Sequence, residues 1–206
     1  MTRRQDPPLP AHAFSLLIVE GGDEAAVCKA ILGPEKWGDV ACWTASGRTD
    51  LPATAALARL APNYHFARSV GVILDIEDSL SETLGLAART IAALELGPAP
   101  SHASFTSSTP RAGVFLVPDG GSSGCIETLC RAAVGDPKLA TCVDALVACA
   151  GAPHTTVSRA AKGWLHAYLS MLPRPISHFH QALNTPGGID TNHSIFAPLR
   201  SFLAAL

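Results

Sequence analysis

Phe14-Ser15-Leu16-Leu17-Ile18-Val19-Glu20-Gly21-Gly22-Asp23-Glu24 decides the fold: a short run of large aliphatics, two glycines, then an apolar-periodic stretch over 23–32 stopped by Gly33-Pro34. A run of that length bounded by glycine predicts a strand, and the change of period after it predicts a helix, so residues 14–32 read as a β-turn-α unit. A second unit follows, with a strand over 40–44, a turn at Ser46-Gly47-Arg48-Thr49-Asp50 and a helix over 51–60 ended by Ala61-Pro62. The third has a strand over 69–74 and a helix from about 79 to 96. Residues 97–112, with three prolines and a run of Ser and Thr, read as a surface loop before a fourth strand over 113–117, closed by Pro118-Asp119-Gly120-Gly121. Beyond it the pattern is helical over 124–134, 137–150, 155–171 and 193–206. Alternating strands and helices followed by a helical tail predict an α/β, Rossmann-like domain, a mainly parallel sheet of about four strands flanked by helices.

Residues 1–13 are polar and Pro-rich and predict a flexible arm, leaving 14–206 as a single domain. The 206 residues are 48% hydrophobic, enough to bury one core. Fifteen Lys and Arg against 17 Asp and Glu give a net charge of −2, so the chain lacks the basic field of a protein that grips duplex phosphates unaided. Binding of nucleic acid is therefore expected to be weak without a local patch, a metal or a partner protein. The six cysteines show no CxxC spacing, and no leader or membrane-spanning run accompanies them. They read as reduced thiols of a cytoplasmic protein without membrane contact. Cys125 and Cys130 fit no standard zinc framework. Ala-rich helices over 86–94 and 140–150 offer apolar surface for a homodimer.

Two acidic clusters stand where predicted strands end, Glu20 with Glu24 and Asp75 with Glu77 and Asp78. A helix N-terminus accounts for an acid in its first turn, and Asp78 or Ser79 can cap the helix after it. Capping does not account for Glu20, Asp75 and Glu77 gathered at strand ends, where three negative charges repel unless a cation or a proton intervenes. Carboxylates so gathered are how α/β proteins hold a divalent metal.

The strand-Glu-Gly turn Val19-Glu20-Gly21 with Glu24 four places on, followed by Asp75-Ile76-Glu77, resembles the TOPRIM domain of topoisomerases, bacterial primases and OLD-family nucleases. The likeness extends to a branch of bacterial TOPRIM-like proteins through Phe115-Leu116-Val117-Pro118-Asp119, Gly124-Cys125-Ile126-Glu127, Lys162, Tyr168-Leu169 and the segment from Asp190 to Leu206. It departs at Glu77, where the DxD pattern has Asp. The resemblance implies Mg²⁺ (or Mn²⁺) held by Asp75 and Glu77, with Glu20 a further ligand or the general acid/base. It also implies that Glu24, Asp78 and Glu127 complete a second metal site and that Lys162 neutralises transition-state charge. The function expected is metal-dependent phosphodiester chemistry by a small nuclease. The alternative is a non-catalytic TOPRIM-like module that binds metal, nucleotide or a protein partner. An aspartyl phosphatase reading of Leu74-Asp75-Ile76-Glu77-Asp78-Ser79 wants a second Asp where Glu77 stands.

Overall fold

The computed structural model describes residues 7–151 and 156–206. Residues 1–6 of the expected arm, with Arg3 and Arg4, and residue 155 of the expected helix over 155–171 lie outside the described residues. Five strands form one sheet: β1 Phe14–Val19, β2 Val40–Thr44, β3 Ala67–Asp75, β4 Ser104–Phe105 and β5 Arg111–Val117, in the order β2-β1-β3-β5-β4. All neighbours pair in parallel except β4, which runs antiparallel to β5. The eight α-helices of the described residues are α1 Gly22–Trp37, α2 Leu51–Leu60, α3 Leu80–Ala93, α4 Ile126–Ala132, α5 Pro137–Cys149, α6 Val157–Ser170, α7 Phe179–Ala182 and α8 Ala197–Ala205. The break expected at Gly33-Pro34 is real: Gly33 takes φ 71°, and Pro34 restarts a last helical turn to Trp37.

Alternation along each central strand divides the core. Leu17, Val19, Ile73, Phe115 and Val117 face α1, α4, α6 and α8. Leu16, Ile18, Val70, Val72, Leu74, Val114 and Leu116 face α2 and α3. Strands apolar on both faces are what a helix-covered parallel sheet requires. Part of the predicted arm joins this packing: Leu9 is buried, and Pro7 and Leu9 carbonyls accept bonds from Trp43 Nε1 (3.1 Å) and Asn63 Nδ2 (3.0 Å). Of the helices expected to carry apolar surface, α5 does so, resting on Val143 and exposing Leu146. No described helix is long and apolar enough to cross a membrane.

At the N-terminal edge of the sheet Ser15 Oγ donates to the Leu206 carbonyl (2.7 Å), Ser69 Oγ donates to it as well, and Arg111 binds the Ala205 carbonyl (2.8 Å). Gly71 allows α8 to lie this close, since a Cβ there would stand 2.9 Å from Leu206 and 3.4 Å from the Phe202 ring. The helical tail is tied together by Tyr168, whose buried hydroxyl accepts from the Asp136 N–H (2.9 Å) and donates to the Gly187 carbonyl (2.7 Å). Tyr168→Phe is expected to cost about 1 kcal/mol in chemical unfolding, because two part-buried backbone groups lose their hydroxyl partner.

Candidate functional site

From β1 the chain passes through α1 to β2 on one side, then crosses through α2 to β3 on the other side of β1. The order in which strands are added to the sheet reverses between β1 and β3, and in such parallel sheets the crevice past the strand C-termini is where ligands bind. Glu20 follows the last residue of β1, and Asp75 is the last residue of β3. The Asp75 N–H donates to Glu20 Oε1 at 3.1 Å, which joins the two strand ends directly.

Glu24, Cys125, Glu127 and Lys162 converge there as well. Gly21 precedes the first turn of α1, and a Cβ on it would stand 3.2 Å from Glu24 Oε2, so the missing side chain leaves room for Glu24 to turn back towards the strand ends. Glu77 sits at φ 54° and exchanges two backbone bonds with Gly124, its N–H donating to the Gly124 carbonyl (2.7 Å) and the Gly124 N–H to the Glu77 carbonyl (2.9 Å). That bridge carries the next residues, Cys125 and Ile126, beside β3. The Ile126 N–H donates to Asp75 Oδ1 at 3.1 Å, and Glu127 follows in the first turn of α4. A carboxylate oxygen from each of Asp75 and Glu127 and the Cys125 sulfur then lie within 4.8 Å of one another. Lys162 of α6 reaches over with Nζ 3.5 Å from Glu127 Oε1.

Glu20, Glu24, Asp75 and Glu127 are all buried, Glu127 to 3% exposure. Their charge is poorly matched. Arg48 lies 3.7 Å from Glu20 and also binds the Asp75 carbonyl and Thr83 Oγ1 (2.6 Å); Lys162 is half-exposed, and Glu127 Oε2 is buried with no hydrogen-bond partner. Burial pushes the Glu20 carboxyl up to about 7 against the pull of Arg48 and the Asp75 N–H, with Glu24 and Glu77 adding to the rise. Burial likewise raises Glu24, with Glu127 and Asp23 adding to it. It holds Asp75 well above the ordinary carboxylate range, reinforced by Glu24, Glu20 and Glu127 and opposed by Lys162. The Cys125 thiol is pushed up to about 12 by burial and the Glu127 carboxylate. Burial disfavours the Lys162 charge, but Glu127 and Asp75 outweigh it and hold the amine above its usual value.

A family model described as a protein of unknown function (DUF3226) matches residues 15–206. The chain belongs to the DUF3226 family. Neither curated proteins nor solved structures give a match.

The cluster of this DUF3226 protein thus brings together Glu20, Glu24, Asp75, Glu127 and Lys162 of the residues singled out in sequence. Glu77 is half-buried, close enough to Glu20 to raise its carboxyl. Asp78 is exposed, and its Oδ1 accepts from the Val157 N–H (3.1 Å) in the first turn of α6. Asp78→Ala in the DUF3226 chain is expected to cost about 1 kcal/mol of stability through that lost cap, with divalent-ion affinity unchanged in a parallel titration. The turn over 118–124 is closed from within: Asp119 accepts from the Ser122 N–H (2.7 Å), the Ser122 hydroxyl (2.7 Å) and the Gly121 N–H (3.0 Å), which pulls its carboxyl below the ordinary range and occupies those donors. His178 and His180 are exposed, with rings stacked 5.8 Å apart.

Sequence reasoning missed Arg48 and Cys125. Arg48 sits in a polar turn, and its partners Asp75 and Thr83 are 27 and 35 residues away, a distance that no local pattern encodes. The spacing of Cys125 points only to cysteine and histidine partners, whereas its neighbours in space are the carboxylates of Asp75 and Glu127.

Proposed function

We propose that this protein is a divalent-metal-dependent phosphodiester or phosphoryl-transfer protein of TOPRIM type, a small nuclease in its simplest form. The observation that carries the reading is the set of four buried carboxylates at the β1/β3 crevice, one of them with an oxygen that no protein group satisfies. Buried carboxylates in such excess are stable only when neutralised by protons or a cation. Oxygen ligands of this kind suit Mg²⁺ or Mn²⁺.

Asp75 is the central ligand in this reading, with Glu20, Glu24 and Glu77 on one side and Glu127 on the other. A bound ion would supply positive charge to a phosphoryl oxygen. Glu20, with its carboxyl near 7, is suited to accept and return a proton at neutral pH. Arg48 holds Glu20 and the Asp75 carbonyl in place. Lys162, kept charged by the carboxylates around it, can offset charge that develops on the phosphoryl group. A cleft of about 420 Å³ lined by Arg48, Thr49, Ser81, Glu82 and Arg89 opens beside Arg48. Its two guanidinium groups give a phosphate a path towards the cluster.

A net charge of −2 favours the second reading, a non-catalytic module that binds metal, nucleotide or a protein partner. Cleavage assays with Mg²⁺ or Mn²⁺ on single-stranded and duplex DNA and RNA, comparing wild type with Glu20→Gln, separate the two. Cleavage that falls by about 100-fold or more in Glu20→Gln, the size of a lost acid/base, supports the nuclease. Metal binding without cleavage of any substrate supports the module.

A further inference from the structure

We infer that Asp75, Cys125 and Glu127 form a mixed thiol-carboxylate cation site that prefers a borderline divalent ion of the Zn²⁺ and Co²⁺ class over Mg²⁺. The inference rests on the reading of the carboxylate cluster as a cation site and adds which ion one side of it takes. Three observations carry it.

The first is distance. One carboxylate oxygen each from Asp75 and Glu127 and the Cys125 sulfur lie within 4.8 Å of one another. Donors about 2.0–2.3 Å from one tetrahedral ion stand roughly 3.3–3.8 Å apart, so closure asks for side-chain movements of about one ångström. The second is the orphaned oxygen. Glu127 Oε1 has Lys162, but Oε2 is buried with no hydrogen-bond partner, on a residue 3% exposed. Such an oxygen carries a desolvation cost that a cation at this point removes. The third is the setting of the thiol. A buried structural cysteine packs as a small hydrophobe, as Cys28 does in the core beneath α1. Cys125 is equally buried, yet two carboxylates stand beside it, with Glu127 in hydrogen-bonding reach of the thiol, while its sulfur also caps α4 through Thr128, whose Oγ1 it meets at 3.7 Å.

Position is held by the backbone. The Glu77–Gly124 bridge and the Ile126 N–H on Asp75 fix the residues on either side of Cys125, so the three donors are set in place by the folded chain. Thiolate softens an otherwise hard ligand set, and soft or mixed sets select zinc-like ions, while all-oxygen sets suit Mg²⁺ and Mn²⁺. Asp75 also feels Glu20 and Glu24, so the same carboxylate serves an all-oxygen side and this mixed side. On binding, the ion takes the place of the thiol proton, which leaves to solvent.

The test is a Co²⁺ titration followed by absorbance, on the full chain carrying Cys142→Ser and Cys149→Ser to remove the two exposed thiols. The expected result is a sulfur-to-cobalt charge-transfer band in the near ultraviolet that is absent in Cys125→Ser. Co²⁺ and Zn²⁺ affinities should fall by at least about tenfold in Cys125→Ser and in Glu127→Gln, the lower end of what even outer-shell losses cost. Calorimetry should give the same Mg²⁺ affinity for the parent and Cys125→Ser. Co²⁺ binding that depends on Asp75 but shows no charge-transfer band overturns the mixed site and leaves the carboxylate cation site standing. No binding of Co²⁺, Zn²⁺ or Mg²⁺ to the parent overturns both.

Discussion

Asp75→Asn is expected to raise the melting temperature of the metal-free protein and to abolish its response to divalent ions. Asp75 is 4% exposed, and Glu20, Glu24 and Glu127 all act on it. Folding without metal must therefore either protonate it or bear its charge among like charges. An asparagine keeps the oxygen that accepts from the Ile126 N–H and replaces the other oxygen with a donor that its carboxylate neighbours can accept. The gain is about 2 kcal/mol, the order of cost of an unmatched buried polar group, which corresponds to roughly 4–8 °C for a chain of this size. The same substitution removes the central ligand, so scanning calorimetry with excess Mg²⁺, Mn²⁺ or Zn²⁺ should give no further rise, while wild type shifts upward by mass action. A lower melting temperature for metal-free Asp75→Asn would mean that the carboxylate is structural. A stability gain on losing a charged group is the pattern of a site that holds repulsion for the sake of a ligand.

The second large effect is a loss of metal-free stability with rising pH that added metal offsets. Glu20 titrates near 7 in the folded protein against 4.5 ordinarily. Between those values the folded chain binds more protons than the unfolded one, so stability falls as pH rises. The stabilisation from the protonated Glu20 is complete below about pH 4.5 and lost by about pH 7–8, roughly 3 kcal/mol in all from this one group. Glu24 and Asp75 are displaced in the same direction and steepen the fall. Urea unfolding in chelator at pH 5 and pH 8 measures the difference, and Glu20→Gln should reduce it by about the share of that one group. A divalent ion competes with these protons, so its stabilising effect should grow over the same range. Metal-free stability that rises from pH 5 to pH 8 would remove the ground for treating these carboxylates as a strained cluster.

Much of the frame was legible because its signals are local. β1, β2 and α2 have the bounds that the sequence predicts, since each lies between glycine, proline or polar turns and carries one clear period. β3 and β5 each extend by up to two residues, because pairing with neighbouring strands recruits Ala67, beyond a bulge at Arg68, and Arg111, which no apolar pattern marks. β4 escaped notice: two residues in a Ser- and Pro-rich loop have no alternation to read, and Phe105 is held there by stacking on Phe202 at 4.9 Å. Glu20 and Asp75 stood out as acids at strand ends. Glu24, Glu127 and Lys162 followed from the order of short motifs, while the places of Arg48 and Cys125 are set by contacts across the sheet.

The bridge between Glu77 and Gly124 separates what the 118–123 turn contains from where the ligands stand. The chain enters that turn from the end of β5 and leaves it at a residue pinned to Glu77 just past β3, and the turn between is largely exposed and bonded mainly to itself through Asp119. Its length is therefore open to revision. Doubling it would cost well under a kilocalorie per mole in closure entropy, so a reporter peptide or a recognition loop inserted at residue 121 would sit at the mouth of the crevice while Cys125 and Glu127 kept their places.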